Sequence, residues 1–407
     1  MTTEKFYEQL LGVRLPWKIK TVDLSIIDER VDVYVEFQGK AQCPKCDKEA
    51  SIHDYASSRS WRHLDSCHMK TFLHCRLPRT KCDRCKVKTL APSWSVASSR
   101  FTLMFESFVI KVLLATKCDT QTAKILKLTQ KEVLRIKNNA VDRGLKRRGE
   151  LEAPEVLAID EKSYGQGQKY ITVLVDHDND KVVELRPDRT EKEVAKLLQS
   201  YTEAERQKVE SITMDMWSAF KTTSEKYLEN ALIIHDRYHI ASHMGKALET
   251  TRRVEQNSLK EDEKKSLKGM RFCLLRSIDN RTEKDFTKLV GFESGNLDTA
   301  RVFMMKEMLR ELYESPLTAM EAQIYFTSWI ALAREQSIAG LTRVAKTIEN
   351  HLEGICNYFH KRLTNAIAET KNGFIQELKT RARGFMNWRR YRINILFHFG
   401  KLDLDPQ

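Results

Sequence analysis

The spacing of hydrophobic positions changes along the chain, and each change predicts a different kind of element. Met69-Lys-Thr-Phe-Leu-His-Cys-Arg-Leu77 alternates apolar and polar positions, which predicts a strand that stops before Pro78. Phe101 to Thr116 then spells an amphipathic helix. Thr120 to Lys127 and Gln130 to Ala140 spell two more, parted by a break at Leu128-Thr129. Thr129 is the expected N-cap of the last of these, and Val133, Ile136 and Ala140 are its buried stripe. Gln130, Lys131, Arg135 and Asn138 are left exposed for a DNA groove or a phosphate if the unit is a helix-turn-helix rather than an ordinary helical hairpin.

After Pro154 the apolar runs become short and strand-like. Val156 to Asp160, Tyr170 to Asp176 and Lys181 to Arg186 predict a three-strand meander. A helix over Thr190 to Tyr201, a strand over Val209 to Met214, a helix over Trp217 to Leu228 and a strand over Ala231 to His235 follow. The order βββαβαβ is that of an α/β, RNase-H-like core with a mixed sheet. In that order the first strand neighbours the strand after the first helix, so Asp160 and Asp215 are expected to meet at the strand ends. Residues 246 to 345 lack strand signals and read as an all-helical insertion. The helix after it carries Asn365, Glu369 and Asn372 on one face.

The expected organisation is therefore multidomain: a zinc-ribbon segment (1–99), a helix-turn-helix (100–150), a catalytic core begun at 151–245, an all-α insertion (246–345), and the core's last helix with a basic tail (346–407). Charge sharpens this division. The net charge of +13 is distributed as +12 over 1–150, −5 over 151–360, +8 over 361–401 and −2 from Asp403 and Asp405 in the tail. Basic ends around an acidic centre suit a chain that holds nucleic acid at its flanks. No apolar run approaches the ~18 residues of a membrane span, so no membrane partner is expected. The first residues lack the apolar core of a secretory signal, which predicts a cytoplasmic protein whose nine cysteines are reduced or metal-bound.

Cys43-Pro-Lys-Cys46 and Cys82-Asp-Arg-Cys85 are two C-x2-C knuckles with 35 residues between them, a spacing that can close four thiolates around a structural Zn²⁺. Cys67, Cys75 and several histidines between the knuckles are competing ligands or plain core and surface residues. Asp160 and Asp215 are either ordinary strand-end acids or a pair that bridges divalent cations for phosphoryl transfer. Glu369 is the candidate third ligand, and oxygen donors suit Mg²⁺. Glu161 is expected on the opposite face of its strand, and Asp176, Asp178 and Asp180 in a turn.

Together these motifs resemble the DDE transposases of bacterial insertion sequences, in particular the ISL-three family with its N-terminal zinc finger. The matching pieces are the two knuckles, the helix-turn-helix, Leu157-Ala-Ile-Asp160-Glu, Ile212-Thr-Met-Asp215-Met-Trp-Ser, His235-Asp-Arg-Tyr-His239, and Asn365-Ala-Ile-Ala-Glu369-Thr-Lys-Asn372 leading to Lys379-Thr-Arg-Ala-Arg-Gly-Phe385. The resemblance implies that Asp160, Asp215 and Glu369 are the catalytic triad, that Mg²⁺ or Mn²⁺ is the cofactor, and that the substrates are terminal inverted repeats and target DNA. It further implies a homodimer or larger synaptic complex near the bacterial nucleoid. Asp236 and His239 match a motif next to the second Asp, where a supporting role is expected. The family usually has Gly after the catalytic Glu, where this chain has Thr370, so Glu377 remains a second candidate. Lys379, Arg381, Arg383, Arg389, Arg390 and Arg392 are expected to grip phosphates. Trp329 is either a core residue or a platform for an extruded base. A DNA-binding regulator and a nuclease without strand transfer are the competing readings of the same scaffold.

Overall fold

The computed structural model describes residues 2–96, 98–149, 151–165, 169–259, 267, 269–276, 278–292, 297–382, 384 and 387–406. The chain forms two compact units, Met1–Gly149 with Lys401–Gln407, and Glu150–Gly400. No helix of the described residues is long and apolar enough to cross a membrane.

The first unit begins with helix α1 (Thr3–Leu11), capped by Thr2 and closed by Gly12 at φ 64°. Strands β1 (Trp17–Ser25), β2 (Arg30–Phe37), β3 (Ser51–Arg62), β4 (Lys70–Cys82) and β5 (Lys86–Thr89) follow. They form one sheet in the order β1-β2-β4-β3, with β5 also on β4; β2 and β4 run parallel and the other pairs antiparallel. Trp17, Val31, Val33, Trp61 and Leu73 fill its core. β4 runs through Pro78, where the sequence pattern predicts a stop. Pro78 faces Tyr55 at a register shift between Tyr55 and Ser58, a bulge at which its missing N–H breaks no ladder bond.

Helices α2 (Leu103–Thr116), α3 (Asp119–Ile125) and α4 (Gln130–Arg148) complete this unit. Thr129 and Glu132 form a reciprocal capping box at the start of α4. Val133, Ile136 and Ala140 are buried as the helical spacing requires. α4 continues beyond Ala140 to Arg148, so Arg143 to Arg148 are helical. The C-terminal residues cover that continuation: Arg143 Nη2 donates to the Leu404 carbonyl at 2.7 Å, and Arg147 pairs with Asp403 at 3.0 Å.

The second unit is built on β6 (Val156–Ser163), β7 (Tyr170–Asp176), β8 (Lys181–Pro187), α5 (Glu191–Leu198), β9 (Ser211–Met214), α6 (Ser218–Tyr227) and β10 (Leu232–His235). Its strand order is β10-β9-β6-β7-β8. The pairs β6/β7 and β7/β8 are antiparallel, whereas β9 lies parallel to both β6 and β10. Leu157, Ile159, Leu174 and Val183 pack with Val194, Leu198 and Phe220 of the helices.

Helix α7 (Arg237–Ser258) leaves β10 directly, and α8 (Asp298–Glu314), α9 (Ala319–Glu335) and α10 (Ala339–Asn350) pack with it around Met244, Phe303, Phe326 and Leu341. Trp329 belongs to this core. It is 2% exposed and its indole N–H donates to the Met305 carbonyl at 3.0 Å, so it is no base platform. The chain returns through α11 (Ala366–Arg381) and α12 (Trp388–Phe399). Arg392 on α12 donates through Nε to Glu184 of β8 at 2.6 Å, a half-buried pair that removes it from the expected phosphate-gripping run.

Candidate active site and metal centre

In the first unit the two cysteine knuckles close on each other because β4 and β5 meet in the second knuckle and Cys43 opens the first. Each knuckle turns through a left-handed residue just after its second cysteine, Asp47 at φ 53° and Lys86 at φ 61°. The sulfurs of Cys43, Cys46, Cys82 and Cys85 all lie within 4.8 Å of one another, and Cys46 Sγ is 3.7 Å from Cys82 Sγ. A zinc tetrahedron with ~2.3 Å Zn–S bonds has edges of about 3.8 Å, so the spacing fits that ion. A hydrogen bond from the Lys45 amide holds the Cys43 thiol down at about 7. Burial and then the neighbouring thiols push Cys85 up to about 12. Four thiols this close resist joint ionisation, and a dication removes that conflict. Among the described residues this is the one group of three or more possible ligands gathered so tightly. Cys67 and Cys75 stand outside it.

In the second unit the register of the sheet brings the first two acids together. Ala158 of β6 lies opposite Thr213 of β9, and Asp160 and Asp215 each follow two residues later on parallel chains. Asp160 accepts from the Glu161 amide at 2.7 Å and from Asn372 Nδ2 at 2.5 Å. Burial, then the charge of Asp215, push its carboxyl up to about 7. Asp215 is paired with His239, whose Nε2 lies 2.5 Å from Oδ1. His239 reaches there because α7 starts one turn earlier, capped by Asp236, whose carboxylate accepts from the Tyr238 amide at 3.2 Å. The bond to Asp215 raises the His239 pKa above its ordinary value against the opposing effect of burial. Burial also raises Asp236.

Glu369 lies in the first turn of α11, near the same acids. Burial, then the charge of Asp236, raise its pKa, and Asp215 adds to the effect. Asp236 and Glu369 line a cavity of about 630 Å³ whose other walls include Tyr238, Ile240, Lys306 and Arg310. Asn365, at the start of α11, accepts from Thr213 Oγ1 at 3.0 Å. The polar stripe seen in the sequence thus faces the sheet at both ends. Glu377 instead pairs with Arg381 at 2.9 Å.

The remaining candidates lie elsewhere. Gln130, Lys131, Arg135 and Asn138 form an exposed face of α4. Lys379 Nζ donates to the Ser163 carbonyl at 3.1 Å, at the end of β6. Arg383 lies outside the described residues. Arg389 and Arg390 are exposed on α12. Glu161 pairs with Arg189 at 3.0 Å, and that guanidinium stacks 3.9 Å from the Trp217 ring, a cluster sequence reasoning missed. Asp176 pairs with Lys181 at 3.2 Å in the β7–β8 turn, whereas Asp180 holds the buried Lys371 of α11 at 2.7 Å.

A family model described as a transposase, of the DDE type named ISL3, matches residues 157–395. Another, described as the zinc-finger of transposase IS204/IS1001/IS1096/IS1165, matches residues 39–85. The chain is 26% identical over 246 residues to the transposase for insertion sequence element IS1001 of Bordetella parapertussis, a match spanning 59% of this chain and 60% of that protein. It is 22% identical over 369 residues to the transposase for insertion sequence element IS1557 of Mycobacterium tuberculosis, spanning 84% of this chain and 82% of the relative.

Proposed function

Since the chain belongs to the ISL3 transposase family, we propose that it is a DNA transposase that binds the terminal inverted repeats of an insertion sequence and catalyses metal-dependent strand cleavage and strand transfer. The observation that carries this reading is that Asp215, at the end of the mixed sheet, is coupled through charge to both Asp160 and Glu369. The strand order supports an RNase-H-like core, three antiparallel strands followed by two parallel ones.

Asp160, Asp215 and Glu369 are the residues that would hold Mg²⁺ or Mn²⁺. Their donors are all oxygen, which suits a hard cation, and the like-charge repulsion raising Asp160 is relieved when one binds. The bound ions supply Lewis acidity that activates water or a DNA 3′-OH and stabilises the leaving oxygen. His239 fixes the Asp215 carboxylate and Asn372 that of Asp160, so neither acid has to be ordered during the reaction. No side chain becomes bonded to DNA.

The helices α2 to α4 read as a helix-turn-helix in which Gln130, Lys131, Arg135 and Asn138 face the repeat. The four-cysteine zinc site holds the sheet beside them. Lys379, Arg381 and Arg383 are read as contacts to the phosphates near the cut. Two element ends have to be handled together, so a homodimer or larger complex acts in the bacterial cytoplasm. Labelled inverted-repeat DNA with Mg²⁺ and a supercoiled target tests the reading: cleavage followed by joining supports it, whereas binding alone or cleavage alone replaces it by a regulator or a nuclease.

A further inference from the structure

We propose that Asn372 is a positioning residue for Asp160, fixing one carboxylate oxygen and presenting its own amide oxygen to the cation that Asp160 holds; this rests on the reading of Asp160, Asp215 and Glu369 as the cation-holding acids.

Asn372 sits on α11 about one turn after Glu369 and is 7% exposed. Its Nδ2 donates to Asp160 Oδ2 at 2.5 Å, a bond between residues 212 positions apart. A charge-assisted bond of this kind sets the rotamer of the acid. Asp160 Oδ1 accepts from the Glu161 amide, and a carboxylate has about four acceptor positions in all, so each oxygen keeps a further lone pair for a cation.

The other end of the amide carries the inference further. Asn372 Oδ1 is buried and has no hydrogen-bond partner among the described residues. Buried polar atoms in native proteins are almost always paired, so an acceptor left open beside Asp160 points to a partner that arrives with the ligand. A cation, which takes the oxygen's lone pair, or water bound to it, which donates a hydrogen bond, is such a partner. Asn365 on the same stripe makes the contrast. Its open atom is Nδ2, which cannot ligate a cation, and its oxygen is used by Thr213 to anchor the start of α11 to β9. The two asparagines therefore divide the work: Asn365 seats the helix, and Asn372 orients the acid.

The test is Mn²⁺ binding to the zinc-loaded full chain, followed by electron paramagnetic resonance, with single-turnover cleavage and DNA affinity measured on the same samples. The variant is Asn372→Leu, which keeps the shape and removes both polar ends. Removing the amide leaves the Asp160 oxygen it bonds without that donor, so the metal-free thermal midpoint is expected to fall modestly while the chain stays folded, and Mn²⁺ affinity is read on the folded protein. Mn²⁺ affinity is expected to fall about 10- to 100-fold, with the cleavage rate at saturating DNA falling in parallel and DNA affinity unchanged. Asn372→Ser, whose hydroxyl is too short to reach Asp160, carries the same expectation should the Leu variant not fold. Mn²⁺ affinity within about twofold of wild type in a folded variant overturns the proposal, provided Asp160→Asn still abolishes binding. If the wild-type chain shows no Mn²⁺ binding that depends on Asp160, the reading of the acids fails first and the proposal with it.

Discussion

His239 Nε2 lies 2.5 Å from Asp215 Oδ1, joining the first turn of α7 to the end of β9. The pair ties the helix that opens the inserted region to one of the acids. His239→Gln is expected to lower cleavage about 10- to 100-fold and leave DNA affinity unchanged, as measured by single-turnover cleavage and gel-shift titration. The partner raises the folded pKa of His239 above the unfolded 6.5. Its stabilisation is therefore full below 6.5 and is lost as pH rises through the raised value. The difference in thermal midpoint between wild type and His239→Gln, without metal, shrinks in that direction.

Asp160 titrates the other way round from an ordinary surface acid. Its carboxyl is pushed from 3.8 up to about 7, so the metal-free fold gains stability from the protonated form below 3.8 and loses it as pH rises through about 7. Cation uptake requires the carboxylate and so releases a proton below that value. Mn²⁺ affinity is expected to rise about tenfold per pH unit up to about 7 and then level off, with proton release visible by calorimetry in buffers of different ionisation enthalpy. Asp160→Asn removes the affinity and its pH dependence.

Chelating the zinc, or Cys82→Ser, takes away the ligand that lets four close thiols coexist. Elemental analysis is expected to give one zinc per chain. Calorimetry on the stripped protein is expected to show the unfolding transition of the first unit moved down or lost while that of the second unit stays in place.

Gly354 lies in the short helix Leu352–Cys356, where a Cβ would run into the ring of His235. Gly354→Ala is expected to cost about 1–3 kcal/mol in chemical denaturation. Burial, then His351, hold His235 at about 3. A depressed histidine contributes stability that is present above 6.5 and lost as pH falls toward the folded value, so the second unit becomes acid-labile across that range.

What the sequence could reveal followed period and local chemistry. The runs Val156 to Asp160 and Tyr170 to Asp176 become β6 and β7 because short continuous apolar runs with β-branched residues suit a sheet buried on both faces. Thr129 caps α4 because its side chain and Glu132 satisfy each other locally. The four cysteines were legible because each pair is set by its own turn. The ties between distant residues were not. Asn372 to Asp160, Lys371 to Asp180 and Arg392 to Glu184 depend on where α11 and α12 return to the sheet, and nothing in a helical period specifies that. For the same reason Arg392 looked like part of a basic run. The alternation of β2 was there to be read, Val31, Val33, Val35 and Phe37 between Arg30, Asp32, Tyr34 and Glu36, but its parallel pairing with β4 is a distant contact that no local pattern specifies.

The central claim is that the three acids perform the chemistry while other residues hold the DNA. Single-turnover cleavage of labelled inverted-repeat DNA in Mg²⁺, with Asp160→Asn, Asp215→Asn and Glu369→Gln compared at saturating protein, tests it most directly. The account predicts that each variant binds the repeat as wild type does and produces no detectable strand cleavage. Cleavage by Asp160→Asn at the wild-type rate would contradict it.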